Sequence, residues 1–169
     1  MNEKCNAGEN SPKKTQSTLW EFALAAYAEP IIQRHCLYLQ DHYQMDVNIL
    51  LAAGFCGREG RRWTSSLCGE LIALAAPIRE RYVLPLRALR REAEANAGLY
   101  GALKAAEIEA ERVEIDALCH HFAIKTAASE GDAPYLDNIL TYAALVKGVS
   151  QGDLAPKFKE IAERFADIP

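Results

Sequence analysis

Four polar side chains crowd the stretch LQDHYQMDVNILLAAGFCG, residues 39–57: Asp41, His42, Asp46 and Asn48. Carboxylate, imidazole and amide are the materials of a metal site or of general acid–base chemistry, provided that they converge on one point. Asp41 and His42 are neighbours on a helix end, so their side chains point about 100° apart, which works against convergence. Asp46 stands directly before an apolar run, where a carboxylate accepts from the free N–H groups of a first helical turn and suits the positive end of the helix dipole. Met45 and Leu50 around it have the spacing of a hydrophobic staple. Asp46 therefore reads as a cap, while Asp41, His42 and Asn48 stand as the candidate set for a small-ligand or metal-dependent helical enzyme.

Two further groups invite a chemical reading. Cys119, His120 and His121 are adjacent, with His35 and Cys36 as distant partners, but the i, i+3 or i, i+4 spacing of helical zinc ligands is missing. His120 falls on an apolar seam, so a buried, hydrogen-bonded histidine is the expectation. Glu107, Glu111 and Glu114 are the nearest approach to a diphosphate-binding carboxylate cluster. They read as the solvated outer face of a long helix. DDxxD, P-loop, GxSxG and GxGxxG motifs are absent from the chain, so no cofactor is expected and a non-catalytic role is favoured.

Charge is distributed unevenly. Between Arg58 and Arg91 stand eight arginines against three glutamates, and between Glu92 and Asp116 seven acids against Lys104 and Arg112. A turn centred on Ala97 would set Arg87 near Glu107, Arg81 near Glu114 and Arg79 near Asp116, as exposed ion pairs each worth about 0–1 kcal/mol. Arg87 and Arg91, like charges one turn apart, would be relieved by an acidic partner or a phosphate. With Arg58, Arg61, Arg62 and Arg90 they define a candidate Arg-rich face for an acidic protein partner, or alternatively for RNA or the ribosome. Trp63 among them is either an anchor for that partner or a plug over the core.

The elements that must position these residues are helical. Ala is abundant, Gly and Pro are sparse and β-branched runs are nearly lacking, which favours helix. The stripe Leu99, Leu103, Ala106, Ala110, Val113, Ala117, His120 and Ile124 predicts one long helix from 99 to about 127, with Ile108, Ile115, Leu118 and Phe122 as a second row. Ile78, Tyr82, Leu86, Leu89 and Ala93 form the stripe of the preceding arm, with Pro77 and Pro85 as kinks. Thr18 or Ser17, Ser65 or Ser66, and Asp153 are predicted caps, and Pro30 opens a helix. The expectation is an all-α fold, a single compact domain of six or seven helices over 17–169 built around a hairpin of residues 77–127, after a disordered tail over 1–16.

Net charge of −4 and a pI near 5.6 argue against a general polyanion binder. Five cysteines, odd in number and without a CxxC pair, fit buried thiols in a reducing compartment. The opening residues have no apolar core of a signal peptide, and the greasiest runs are about half of the roughly 20 residues a membrane span needs. A cytoplasmic protein with no membrane span is expected.

Trp20, Tyr27, Cys36, Leu37, Gln40, Asp41, Asp46, Val47 and Asn48, with PLRALRR and AAEIEAER further on, resemble an uncharacterised proteobacterial family of small helical proteins, the domain of unknown function 2390. The likeness runs to about residue 120 and departs from the family pattern at Ala53 and Phe55. It implies an all-helical fold and carries no activity. Residues 17–127 are the family-like core, and 128–169 form variable C-terminal helices.

Overall fold

The structure, a computed structural model, describes residues 14–125 and 132–169, with side chains from residue 19 to 122 and from 132 onward. The tail expected over 1–16 lies outside the described residues up to position 13, and residues 14–18 are helical, so the first helix does not begin at Ser17 or Thr18. The first helix, α1, spans Lys14–Ala28, and α2 follows at Pro30–Tyr43. Pro30 takes the first helical position, where its missing N–H is no loss, and the Glu29 carboxylate accepts from Ile32 N–H at 2.8 Å. Gln44 ends α2 in the left-handed region, at φ 57°, and turns the chain into α3, Val47–Arg58.

Asp46 caps α3 as its position predicts: its carboxylate accepts from Asn48 N–H at 2.9 Å, and Met45 and Leu50 are fully buried beside it. From Asn48 to Gly57 α3 is buried on every side. Its small residues allow this. A Cβ on Gly54 would stand 2.6 Å from the Phe165 ring, and one on Gly57 would stand 2.6 Å from the Tyr135 ring.

α4 (Ser65–Ile78), a π turn (Arg79–Val83) and α5 (Leu84–Glu92) form one continuous rod. Thr64, rather than Ser65 or Ser66, caps it: an extended backbone at Thr64 lets the hydroxyl accept from Leu67 N–H. Pro85 has no N–H to bond the carbonyl four residues back, and its ring presses on that carbonyl. The helix widens there, and Leu84 N–H reaches five residues back to Arg79. Asn96, whose side chain accepts from Leu99 N–H at 3.0 Å, opens α6, residues Ala97–Lys125. The rod and α6 make the expected hairpin.

α7 (Tyr135–Ala143) and α8 (Gln151–Ala166) close the fold over α3. Ser150 caps α8 and Asp153 sits in its first turn, so the cap lies three residues ahead of the predicted one. Counting the rod once, the described residues form seven helices and no strand. The core joins helices from both ends of the chain: Phe22 of α1, Phe55 of α3, Phe122 of α6 and Phe165 of α8 meet with ring centroids 5.7–5.9 Å apart. Asn138, fully buried on α7, accepts from Trp63 N–H and donates to the carbonyls of Ala53 and Arg61, so the loop before α4 is tied to α7 through one amide.

Candidate functional site

The π turn decides which residues of α5 face inward. One residue more in a turn rotates everything after it relative to a regular helix. Tyr82 and Leu89, expected on the buried stripe, are about half exposed, whereas Val83 is buried and the side chains of Arg87 and Arg90 turn toward α6. α6 meets them with the face read as its solvated one. Leu99 and Val113 are more than half exposed, and His120 is exposed too. Glu107 and Glu114 are buried, and Glu111 is half-buried between them. Of the second row, Ile115, Leu118 and Phe122 are buried and Ile108 is partly exposed.

Arg87 is the centre of the resulting network. Its Nε donates to Glu107 at 2.7 Å, Nη1 to Gln40 at 2.6 Å and Nη2 to Glu111 at 2.7 Å. Arg90 donates to the same Glu107 and to the Tyr100 hydroxyl. Burial opposes charge on Glu107, but the bonds from Arg90 and Arg87 outweigh it and hold its carboxyl below the ordinary range. On Glu111 the balance reverses: burial, then the neighbouring charges of Glu107 and Asp46, raise it against the single pull of Arg87.

These groups line a cleft of about 600 Å³ between α1, α2, α3, α5 and α6. Trp20, Ala23, Leu24 and Tyr27 come from α1; Leu37 and Gln40 from α2; Val47, Asn48 and Leu51 from α3. The charged groups come from α5 and α6 and most of the apolar and aromatic ones from α1, α2 and α3, with Ile108 and Ile115 added by α6; Leu24, Leu37 and Ile108 are exposed. A volume in the range of about 300–1,000 Å³ with a few convergent polar groups is the usual form of a small-molecule site.

One turn deeper lies a second polar cluster. Glu114 is fully buried, and neither carboxylate oxygen has a hydrogen-bond partner among the described residues. Burial, followed by the charge of Asp46 and the contact with it, pushes its pKa up to about 9, against a smaller opposing pull from Asn48 and Arg79. Burial and the neighbouring Asp46 charge thus favour the neutral form of Glu114. Arg79 lies 3.6 Å from the Asp46 carboxylate and donates to the Gln44 carbonyl at 3.0 Å, while Asp46 N–H donates to the Tyr142 hydroxyl at 2.7 Å. Asn48 both acts on Glu114 and lines the cleft, so it stands between the two clusters.

The residues singled out in the sequence are placed as follows. Asp41 is exposed and pairs with Arg91 at 3.1 Å; His42 is exposed with its ring 4.4 Å from that of Tyr38; Asn48 is buried at the cleft. The three do not converge. Arg58 lies 4.9 Å from the Phe55 ring and bonds the Pro169 carbonyl, Arg62 pairs with Asp137, and Arg61 gives its carbonyl to Asn138. Arg87, Arg90 and Arg91 lie at the other end of the hairpin rod, so the six arginines are dispersed and do not form one face. Trp63 is buried in the core, its ring away from solvent.

Of the ion pairs expected along the hairpin, Arg87–Glu107 forms, whereas Arg79 pairs with Asp46 and Glu114 is buried. His35 bonds Glu160 at 2.6 Å and His121 bonds Glu70 at 2.9 Å, and no group of three metal-ligating side chains occurs among the described residues. Cys36, Cys56, Cys68 and Cys119 are buried thiols, pushed by burial up to about 12, 12, 12 and 11.

Sequence reasoning passed over Glu107, Glu111, Glu114, Gln40 and Tyr27 as site residues. A signal was present. Glu107, Glu111, Glu114, Leu118 and Phe122 recur at steps of four and three, so the carboxylates continue the row that ends in two core residues.

The described residues thus form an all-helical fold with a cleft lined by charged, polar and apolar side chains. The chain belongs to the family described as Protein of unknown function (DUF2390), whose model matches residues 18–118. Every cleft-lining residue, from Trp20 to Ile115, lies within that stretch. No curated protein and no solved structure matches the chain. No helix among the described residues is long and apolar enough to cross a membrane.

Proposed function

We propose that this protein is a small-molecule-binding protein whose site is the cleft between α1, α2, α3, α5 and α6. The observation that carries the reading is the meeting of Arg87, Arg90, Glu107, Glu111 and Gln40 in one 600 Å³ cleft, beside apolar side chains of α1, α2 and α3. The motifs that carry the family resemblance, PLRALRR and AAEIEAER, are the ones that supply its arginines and glutamates. Of the candidates read from the sequence, Asn48, Arg87, Arg90 and Arg91 belong to the cleft. The acidic-partner and RNA readings need one contiguous arginine surface, and the arginines are spread and internally paired.

The test is a thermal-shift screen of a metabolite library against the wild type and Ile108→Trp, which enlarges an apolar side chain of the lining and keeps every charged group of the cleft. A compound that raises the Tm of the wild type and not that of the variant supports the site. A library that stabilises neither protein, or both equally, overturns it.

A further inference from the structure

The three acceptors around Arg87 are not equivalent. Glu107 is shared with Arg90 and so is locked between two guanidinium groups. Gln40 is neutral. Glu111 reaches Nη2 through one oxygen, and its side chain is 28 % exposed against 7 % for Glu107. The cleft lining carries four cations, Arg87, Arg90, Arg91 and Lys104, against the carboxylates Glu107 and Glu111, in a chain of net charge −4.

Taking the cleft as the ligand site proposed above, we infer that its ligand carries an anionic head, a carboxylate or a phosphate monoester, that replaces Glu111 on the outer edge of Arg87. Glu111 takes a proton from solvent as it is released. With a carboxylate head, one carboxylate leaves the guanidinium, one arrives and one proton is added, so the count of buried charges is unchanged; a phosphate monoester keeps the same count only as its monoanion. That matters because an unpaired charge in such a place is strongly unfavourable. The apolar part of the ligand lies along Trp20, Leu24, Leu37 and Ile108.

The charged and titratable groups facing Glu111 are few. Arg87 comes from α5, Glu107 from the preceding turn of α6, Tyr27 from α1 and Asp46 from the start of α3. The α2 group at this point, Gln40, does not titrate, Arg79 of the π turn is engaged with Asp46, and Glu70 of α4 is engaged with His121. Arg87 is the cation bonded to Glu111, so removing that contact leaves burial and the charges of Glu107 and Asp46 to favour protonation.

Isothermal titration calorimetry tests this with decanoate below its micellar concentration, in two buffers of different ionisation enthalpy between pH 6.5 and 8. Decyl phosphate, decanamide and decylamine serve as comparisons, and wild type and Glu111→Gln are checked for intact helix by circular dichroism. The expected result is uptake of up to one proton per decanoate and a Kd that weakens up to about tenfold per pH unit. Both effects disappear in Glu111→Gln, which still binds. Decanoate binding without proton uptake, or uptake that survives in Glu111→Gln, overturns the inference. If the amide or the amine binds and neither anion does, the cleft remains a ligand site and the anionic head is wrong. If none of the four binds, the inference falls and the library screen alone decides the cleft.

Discussion

The backbone N–H of Asp46 donates to the hydroxyl of Tyr142, 96 residues away, at 2.7 Å in the buried interior. This bond joins the start of α3, inside the stretch that matches the family, to α7, which lies beyond it. Tyr142→Phe leaves the ring in place and strands a buried donor, which costs about 1–3 kcal/mol. Thr141→Val, one residue away, loses only an exposed bond to the Asp137 carbonyl and should stay within about 0.5 kcal/mol of wild type. Urea denaturation of the pair checks it, and equal midpoints would remove the bond's importance.

Glu114 makes stability depend on pH in an unusual direction. The unfolded chain releases this proton near the ordinary value of 4.5, and the folded chain keeps it until about 9. Between those values the unfolded state binds fewer protons, so stability falls as pH rises, and the effect levels off above 9. Glu114→Gln, which is nearly isosteric and cannot ionise, should match wild type near pH 4 and exceed it at pH 7 by about 2–3 kcal/mol. Denaturant midpoints at pH 4, 7 and 9 give the answer. An advantage that does not grow with pH would sink the neutral-acid assignment.

The arginines should separate sharply in their effect on stability. Arg62 and Asp137 are each about half exposed, so Arg62→Ala should change stability by about 0–1 kcal/mol. Arg87→Met strands Glu107, Glu111 and Gln40 at a largely buried site and should cost about 3 kcal/mol or more. A double-mutant cycle with Glu107→Gln would recover part of that loss. Similar values for the two arginines would mean that the cleft network is solvated like a surface pair.

Two glycines give opposite expectations. Gly54→Ala drives a Cβ to 2.6 Å from the buried Phe165 ring and should destabilise by about 1–3 kcal/mol. Gly101→Ala, in α6 with nothing within 4 Å of the new Cβ, should stabilise by about 0.5–1 kcal/mol through helix propensity. Thermal melts of both variants suffice; a stabilising Gly54→Ala would show that α8 is free to move off α3.

Composition and local chemistry carry much of the fold on their own. Ala-rich helical spacing, the Pro30 start and the Asp46 cap are determined by interactions within a few residues, which a linear sequence contains. Thr64 and Ser150 displaced the expected caps because the choice among nearby hydroxyls and carboxylates depends on which backbone is extended, and packing sets that.

What only the tertiary structure decided is the phase of the hairpin. The π turn before Pro85 rotates α5, which points Arg87 and Arg90 inward. Once these cations are inside, α6 is most stable with Glu107 and Glu111 facing them, although its apolar residues alone favour another face. Hydrophobic periodicity registers apolar burial and is blind to a carboxylate whose burial is offset by a guanidinium from another helix. The cleft exists because of that exchange, and it is written in pairs of residues about 20 positions apart rather than in any one stretch.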